Sequence, residues 1–508
     1  MQWHWRTDGG GRHLLEIPEC PRSCGSVSTR DTFDNMKNED AISLLNWVPG
    51  TGGLTVRQGY SSHATGVGSG DVLTVAEFNA AGTQKLIAFS DTAAYDATSA
   101  GSASSLKTGL TSNGRWDYVN MNGSIAFVDG ANVPQVYDGS TWGNLTISGS
   151  GLTVANIIGI TSFKGFSIVW EDDSADFWYS AARALGGTMT KFALSTVGSV
   201  AAGGGKITAV ESWTVDGGSG EDDFFVVIMS TGQVILYAGT NPADADAWKL
   251  VGIYDMGKPT GRDTFINQSG DLMGLLGGDY KRITGETLKT GQTPRNESKM
   301  SGAAEEAQVL YGANLGWCAV RNKQYAVFNV PITTSTFQQH VLNLATNAWT
   351  KFDSWNARCF GVYDGDIYFG EGSGKVFKAF SGDNDDGDGI AWEAQTSWDN
   401  LRSPAQKKMV GIRPVMTSQD VLSLGIGLAF DFGVASSPQQ ITQGTTGALW
   451  DDAPWDSSSW STEITAQKQM RGASGSGIVV SAVIRGNTKD QTVKWFRTDF
   501  LWVPGGVM

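Results

Sequence analysis

Residues 361–379 read GVYDGDIYFGEGSGKVFKA. An apolar run ends at Asp364-Gly365. A second, Ile367-Tyr368-Phe369, ends at Ser373-Gly374, and Val376-Phe377 leaves. Three short strands joined by two tight turns satisfy this pattern, because Asp-Gly supplies the positive φ angles of a two-residue hairpin.

The hairpin recurs. Apolar runs flank Ala81-Gly82, Asn122-Gly123, Lys164-Gly165, Thr231-Gly232, Ser269-Gly270 and Asn322-Lys323. The second turn residues, from 82 to 365, are separated by 41, 42, 67, 38, 53 and 42 residues. A period of about 40–45 residues with several strands each is the spacing of propeller blades. The wider gaps predict insertions. A continuous sandwich is the competing all-β reading, and it does not call for so regular a turn spacing.

A second feature repeats with it. Val136–Trp142, Leu236–Trp248 and Leu342–Trp349 each run from a strand through a turn to a Trp, with an apolar residue three positions later. A Trp so placed fills the tapering space between sheets. The sharper alternative is a sugar-stacking platform.

Composition agrees. The chain has 508 residues, 66 Gly and 19 Trp, and only 17% charged residues. Many turns, many aromatics and few charges suit short strands. The net charge is −14, and no basic face for gripping phosphates is visible in the sequence. No apolar run reaches the roughly 18 residues of a membrane span, so none is expected. Residues 1–15 lack the apolar core of a secretory leader. Four Cys, at 20, 24, 318 and 359, argue against a disulfide scaffold.

The expected architecture is all-β: a propeller of about six or seven blades over 41–380, an N-terminal arm over 1–40 and a smaller C-terminal β domain over 381–508. Two segments, Ala181–Gly187 and Ser301–Gly312, read as short helices, and Glu305 and Glu306 suit a helix dipole in the second. Strands are expected over Val421–Phe432 and Gly477–Arg485.

Candidate sites are few. Cys20 and Cys24 with His4 and His13 lack regular zinc spacing, and a loose terminus is the plainer reading. Asn384, Asp386 and Asp388 with Gly389 match the first half of a calcium loop, but Gln395 stands where the bidentate Glu belongs. The alternative is a solvated acidic turn. Glu171-Asp172-Asp173 and Glu221-Asp222-Asp223 offer paired carboxylates for glycoside hydrolysis or, more plainly, solvated loops. Gly370–Lys375 imitates a phosphate loop but lies between strands, so it reads as a hairpin. Arg57 reads as a positioned structural charge or a site residue. His63 and His340 have no nucleophile or acid nearby in sequence. No catalytic, cofactor or metal residue is assigned, and an enzyme is not expected.

Several segments, WVPGTGGLTVRQGYSSHATG (47–66), SNGRWDYVN (112–120), ANVPQVYDGSTW (131–142), WTVDGGSGEDDFFVVIMSTGQVILYAGTNP (213–242), AWKLVGIYDMGKPTGR (247–262) and WNARCFGVYDGDIYFGEGSGKVFKA (355–379), resemble the tail nozzle, or head–tail stabilisation, β-propeller proteins of short-tailed bacteriophages. The resemblance implies a virion structural protein of the tail. It would form a homo-oligomer of six copies beneath the portal and adaptor. The ring would extend the DNA channel, retain DNA until ejection and anchor fibres, spikes or a needle. Genomic DNA would pass through without sequence-specific binding, and no cofactor is implied. The alternative function is a carbohydrate-binding, host-receptor propeller. A propeller glycosidase using the acidic clusters is a third, weakened by the absence of an S-x-D-x-G-x-x-W box.

Overall fold

The computed structural model describes residues 6–7, 13–15, 25–80, 82–111, 114–216, 221–268, 270–284, 298–435, 439–443, 465–467 and 469–504. These fall into two compact units: 62–339 with 354–379, and 1–61 with 340–353 and 380–508. The sequence reading placed its divisions at 40/41 and 380/381.

The first unit is a β-propeller. Among the described residues its strands form seven successive groups. The first strands of these groups are Val72–Ala80, Asp117–Met121, Ile157–Phe163, Ile207–Asp216, Phe265–Gln268, Cys318–Arg321 and Cys359–Tyr363. Each pairs antiparallel with the strand that follows it. We number the blades one to seven in this order.

Alternation explains why the blades pack radially. A strand with one apolar face toward each neighbouring sheet buries both. Phe78 and Phe89 of blade one meet Phe127 and Tyr137 of blade two. Val119 and Val128 of blade two meet Ile157 and Val169 of blade three. Phe163 and Phe177 meet Phe225 and Tyr237 across blades three and four. Val226 and Leu236 meet Leu272 and Leu276 across four and five. The rings of Tyr280 and Phe328, 4.5 Å apart, join five to six. Asn329 Nδ2 donates to the Ala357 carbonyl at 2.8 Å, from blade six to the start of blade seven.

The ring closes at the stretch that decided the fold. Cys359–Tyr363, Asp366–Gly370 and Val376–Ala379 form blade seven, and its next strand is Tyr60–Thr65 from the other end of the repeat. Val72, Val75 and Leu86 of blade one then pack on Cys359, Tyr368 and Val376.

The hairpins have the backbone expected of them. Asn122 and Gly123 lie at φ 54° and 79°, Lys164 and Gly165 at 46° and 85°, and Asp364 and Gly365 at 50° and 80°. One assignment is corrected. Thr231-Gly232 joins the second and third strands of blade four, Glu221–Met229 and Gln233–Ala238. The first pair of that blade is long, from Ile207 to Asp216 and Glu221 to Met229, with Asp216 opposite Glu221. Its connection falls at 217–220, where the sequence reads Gly-Gly-Ser-Gly directly after Asp216, a glycine-rich turn signal that the repeat count passed over. Counting one strand too far therefore widened the apparent 67-residue gap at the expense of the 38-residue gap after it, and the helix Gly198–Gly203 lies in what remains.

The helix Ser301–Tyr311 forms as expected and buries Ala303, Ala304 and Ala307. Glu305 and Glu306 lie beyond its first turn, so the dipole argument does not apply to them. Ala181–Gly187 is not helical: Arg183 at φ 58° and Gly187 at φ 93° turn the chain into the strand Gly187–Phe192. A short helix, Gly198–Gly203, occurs instead.

The second unit is also β. One sheet runs Ala348–Phe352, Ala41–Leu45, Ile390–Thr396, Val480–Thr488, Leu422–Phe430, Gln439–Gln443. The other is built on Lys407–Ser418 and Val493–Pro504. Trp47, fully buried, sits between Trp392 of one sheet and Trp495 of the other, with centroids at 5.0 and 6.0 Å. The segment read as an arm supplies strands: Arg6–Thr7 pairs with His13–Leu15, which pairs with Trp502–Phe500.

Candidate functional site

The seven inner strands surround a channel. Its first part is a cavity of about 360 Å³ to which every blade contributes, including Thr74, Asp117, Thr161, Glu211, Asp263, Cys318 and Cys359. Arg115, Trp170, Arg262 and Arg358 also line it. A second cavity of about 380 Å³ continues past Tyr118, Ala319 and Phe360, which border both, toward Glu77, Asn120 and Arg321.

Most of these charges are already engaged. Asp117 accepts from the backbone N–H of Ile160 and of Tyr118, both at 2.9 Å. Arg262 donates to the carbonyls of Ile158 at 2.8 Å and Arg115 at 3.2 Å and stands 3.4 Å from Asp263. Arg358 donates to the Thr334 carbonyl at 2.6 Å and pairs with Asp71 at 2.8 Å.

Three groups are not engaged. The side chains of Arg115 and Glu211 make no hydrogen bond to the described residues. Trp170 is 3% exposed, and its indole N–H has no partner.

Burial raises two of the channel's acids. Burial pushes Asp117 up to about 7, with Arg262 pulling it down and Asp263 adding to the rise. Burial, then Asp117 and Asp263, push Glu211 up to about 8. Glu211 keeps partial access to the channel but lies deep within the propeller, where water stabilises a carboxylate poorly. The Cys359 thiol is pushed up by burial to about 12, and Cys318 higher still. Such thiols are inert, since the thiolate is the nucleophile.

The residues named from sequence lie elsewhere. Arg57 is a structural charge: it is buried in the second unit, against Asn46 and Asp385. Around the suspected calcium loop, the Asp385 carboxylate is bound to Arg57, and Asn384 Oδ1 accepts from the Gly387 N–H at 2.8 Å while its amide donates to Asp490. Among the described residues no three of His, Cys, Asp or Glu converge on an ion position, Asp386 and Asp388 included.

Asp172 and Asp173 are exposed and pair with Lys206 at 2.7 and 3.8 Å. Asp223 pairs with Lys164 instead. The side chains of Glu221 and Asp222 lie outside the described residues, as do those of His4, His13, Cys20 and Cys24. His63 faces the Ala97 carbonyl at 3.0 Å, and His340 is buried, with its pKa lowered by that burial. Trp248 and Trp349 are each 5% exposed, so neither presents a stacking face. Trp142, half-buried, lies flat on Phe127 at 5.4 Å.

The channel residues were missed because they are scattered from 115 to 358. A signal existed all the same. Arg115, Arg262 and Arg358 stand eight, eight and seven residues before Gly123, Gly270 and Gly365, and two of them follow a Gly. Repeat spacing projects all three to the same end of the inner strands.

No protein-family model matches the chain, and no curated protein matches it. Solved structures to which it is similar include PorZ, a bacterial surface component of the type-IX secretion system of Porphyromonas gingivalis. That alignment has 12% identity and a TM-score of 0.39 and covers 62% of this chain. The alignment spans only 37% of PorZ. YCF48 bound to D1 peptide aligns at 7% identity and a TM-score of 0.37, over 66% of this chain and 95% of that one. YCF48 from Cyanidioschyzon merolae aligns at 11% identity and 0.27, over 73% and 98%. The resemblance to phage tail nozzle proteins is corrected accordingly, since these propellers come from secretion and a D1-peptide complex and no family model supports it. The reason is physical. Short apolar runs around Asn-Gly or Asp-Gly are what blade geometry demands, so the quoted segments carry the fold and not the lineage.

Proposed function

We propose that the chain is a non-catalytic structural protein that acts as a subunit of a larger assembly. The state of its reactive groups carries this reading. In the channel, carboxyls and thiols are held neutral by burial or tied to backbone and guanidinium partners. What remains is a closed ring of rigid sheets. The partner proposed is further copies of the chain. Mass photometry across a concentration series tests it. A discrete oligomer is expected, and a monomer at every concentration overturns it.

A further inference from the structure

We propose that the propeller channel binds a small zwitterion, one amine and one carboxylate, between Glu211 and Arg115. This goes beyond the structural role and does not depend on it.

The argument is an inventory of the cavity. Arg262, Arg358 and Asp117 have their partners within the protein. Apart from one nitrogen of Arg358, the groups left over are one acid, one base and one buried donor: Glu211, Arg115 and the indole N–H of Trp170. An unpaired N–H on a residue only 3% exposed is costly unless something accepts from it. The Nε of Arg358 is a second buried donor with no partner, at the same cavity.

Charges of both signs face the cavity. Glu211 on blade four feels Asp117 of blade two and Asp263 of blade five, with Arg262 beside them. Blade three, packed between, brings Ile160 and Thr161 to the cavity and no charge. Arg115 and Asp263 both act on the Cys318 thiol, and Arg115 on that of Cys359 as well. One acid and one base are thus left without a partner at the same cavity, so a ligand carrying a single charge would satisfy only one of them. A carboxylate at Arg115 can take two parallel N–H bonds. An ammonium at Glu211 supplies the cation that this carboxyl lacks.

Binding must then move a proton. Glu211 is mostly protonated at neutral pH. An ammonium beside it favours the ionised form, so Glu211 releases its proton to solvent as the ligand enters. No bond is made or broken otherwise.

The test is calorimetric titration of the full chain with glycine, 4-aminobutyrate and 6-aminohexanoate, and with propylamine and butyrate as single-charge controls. It is run at pH 7.5 in two buffers of different ionisation enthalpy. One amino acid of the series is expected to bind more tightly than either control and to release up to about one proton. Glu211→Gln is expected to abolish the proton release and weaken binding at least about tenfold, and Arg115→Gln to weaken it similarly. Trp170→Phe, which keeps the packing, is expected to weaken it less. Near-UV circular dichroism identifies a variant that misfolds, and Glu211→Asp then replaces Glu211→Gln. No binding of any amino acid at about 10 mM, equal binding of propylamine, or indifference to both substitutions overturns the proposal. An oligomer would form in each of these cases, so this failure is distinct from failure of the structural role.

Discussion

Arg57 and Asp385, 328 positions apart in sequence, are joined by two parallel hydrogen bonds of 2.7 Å each. Their side chains are 0% and 4% exposed. The guanidinium also donates to Asn46 Oδ1 at 2.9 Å and to the carbonyls of Gln58 and Asp353 at 3.1 and 3.0 Å. Every donor that a planar fork offers is directed at an oxygen, which lets the charge stay buried. The pair holds together three stretches of the second unit that are remote in the chain. Removing one partner strands the other. Asp385→Leu is expected to cost about 3–5 kcal/mol. The double variant Arg57→Met, Asp385→Leu is expected to cost less than the two single changes together. Urea midpoints for the four proteins check both statements.

Arg57 also shows where sequence reading stops. Its alternation with Val56 and Gln58 marked it as a positioned charge, yet nothing local points to a partner 328 residues away. The turns are the opposite case. Asn122-Gly123 and Asp364-Gly365 were legible because the demand for positive φ is local, and only a few residue types meet it. Blade four was misread because two glycine turns stand close together there, Asp216-Gly217-Gly218 and Thr231-Gly232, and the second was counted as the inner hairpin. The channel required projecting a period onto a ring, and charges on separate blades meet only after the ring closes.

Acid groups held neutral make stability depend on pH. Burial raises Asp117 to about 7 and Glu211 to about 8, above their ordinary values near 4. The folded chain therefore binds more protons than the unfolded chain between those limits, so stability falls as pH rises. The contribution is intact below about pH 4 and is lost by about pH 8. The propeller's melting temperature is expected to decline from pH 5 to 8.5, and Glu211→Gln to flatten part of that decline. A Glu211→Gln profile that superimposes on the parent would show that Glu211 is ionised throughout.

Gly159 faces Trp170 across the first two strands of blade three. A Cβ there would lie 1.9 Å from the indole Cζ2. Gly159→Ala forces the ring off its seat, so a loss of about 1–3 kcal/mol or more is expected. Because Trp170 borders the channel, its near-UV signal should change as well. Gly143→Ala, which meets only a Val136 methyl at 3.9 Å, is the tolerated control.

Two hairpin glycines separate backbone strain from steric exclusion. Gly365 lies at φ 80° with nothing within 4 Å of an added Cβ. Gly365→Ala carries only the left-handed penalty, about 1–2 kcal/mol. Gly232 lies at φ 101°, and its Cβ would stand 2.6 Å from the main-chain carbon of Gly257. That contact is with backbone, which cannot swing aside as a side chain would. The Gly257 region must move, and with it the Met256 N–H bond to the Gly232 carbonyl at 3.0 Å. Gly232→Ala is therefore expected to destabilise clearly more than Gly365→Ala, with faster hydrogen exchange over Gln233–Ala238 and Lys249–Asp255. Equal losses in the two variants would mean that the close approach at Gly232 relaxes freely. The turn that imitates the repeat signal would then owe its glycine to φ alone.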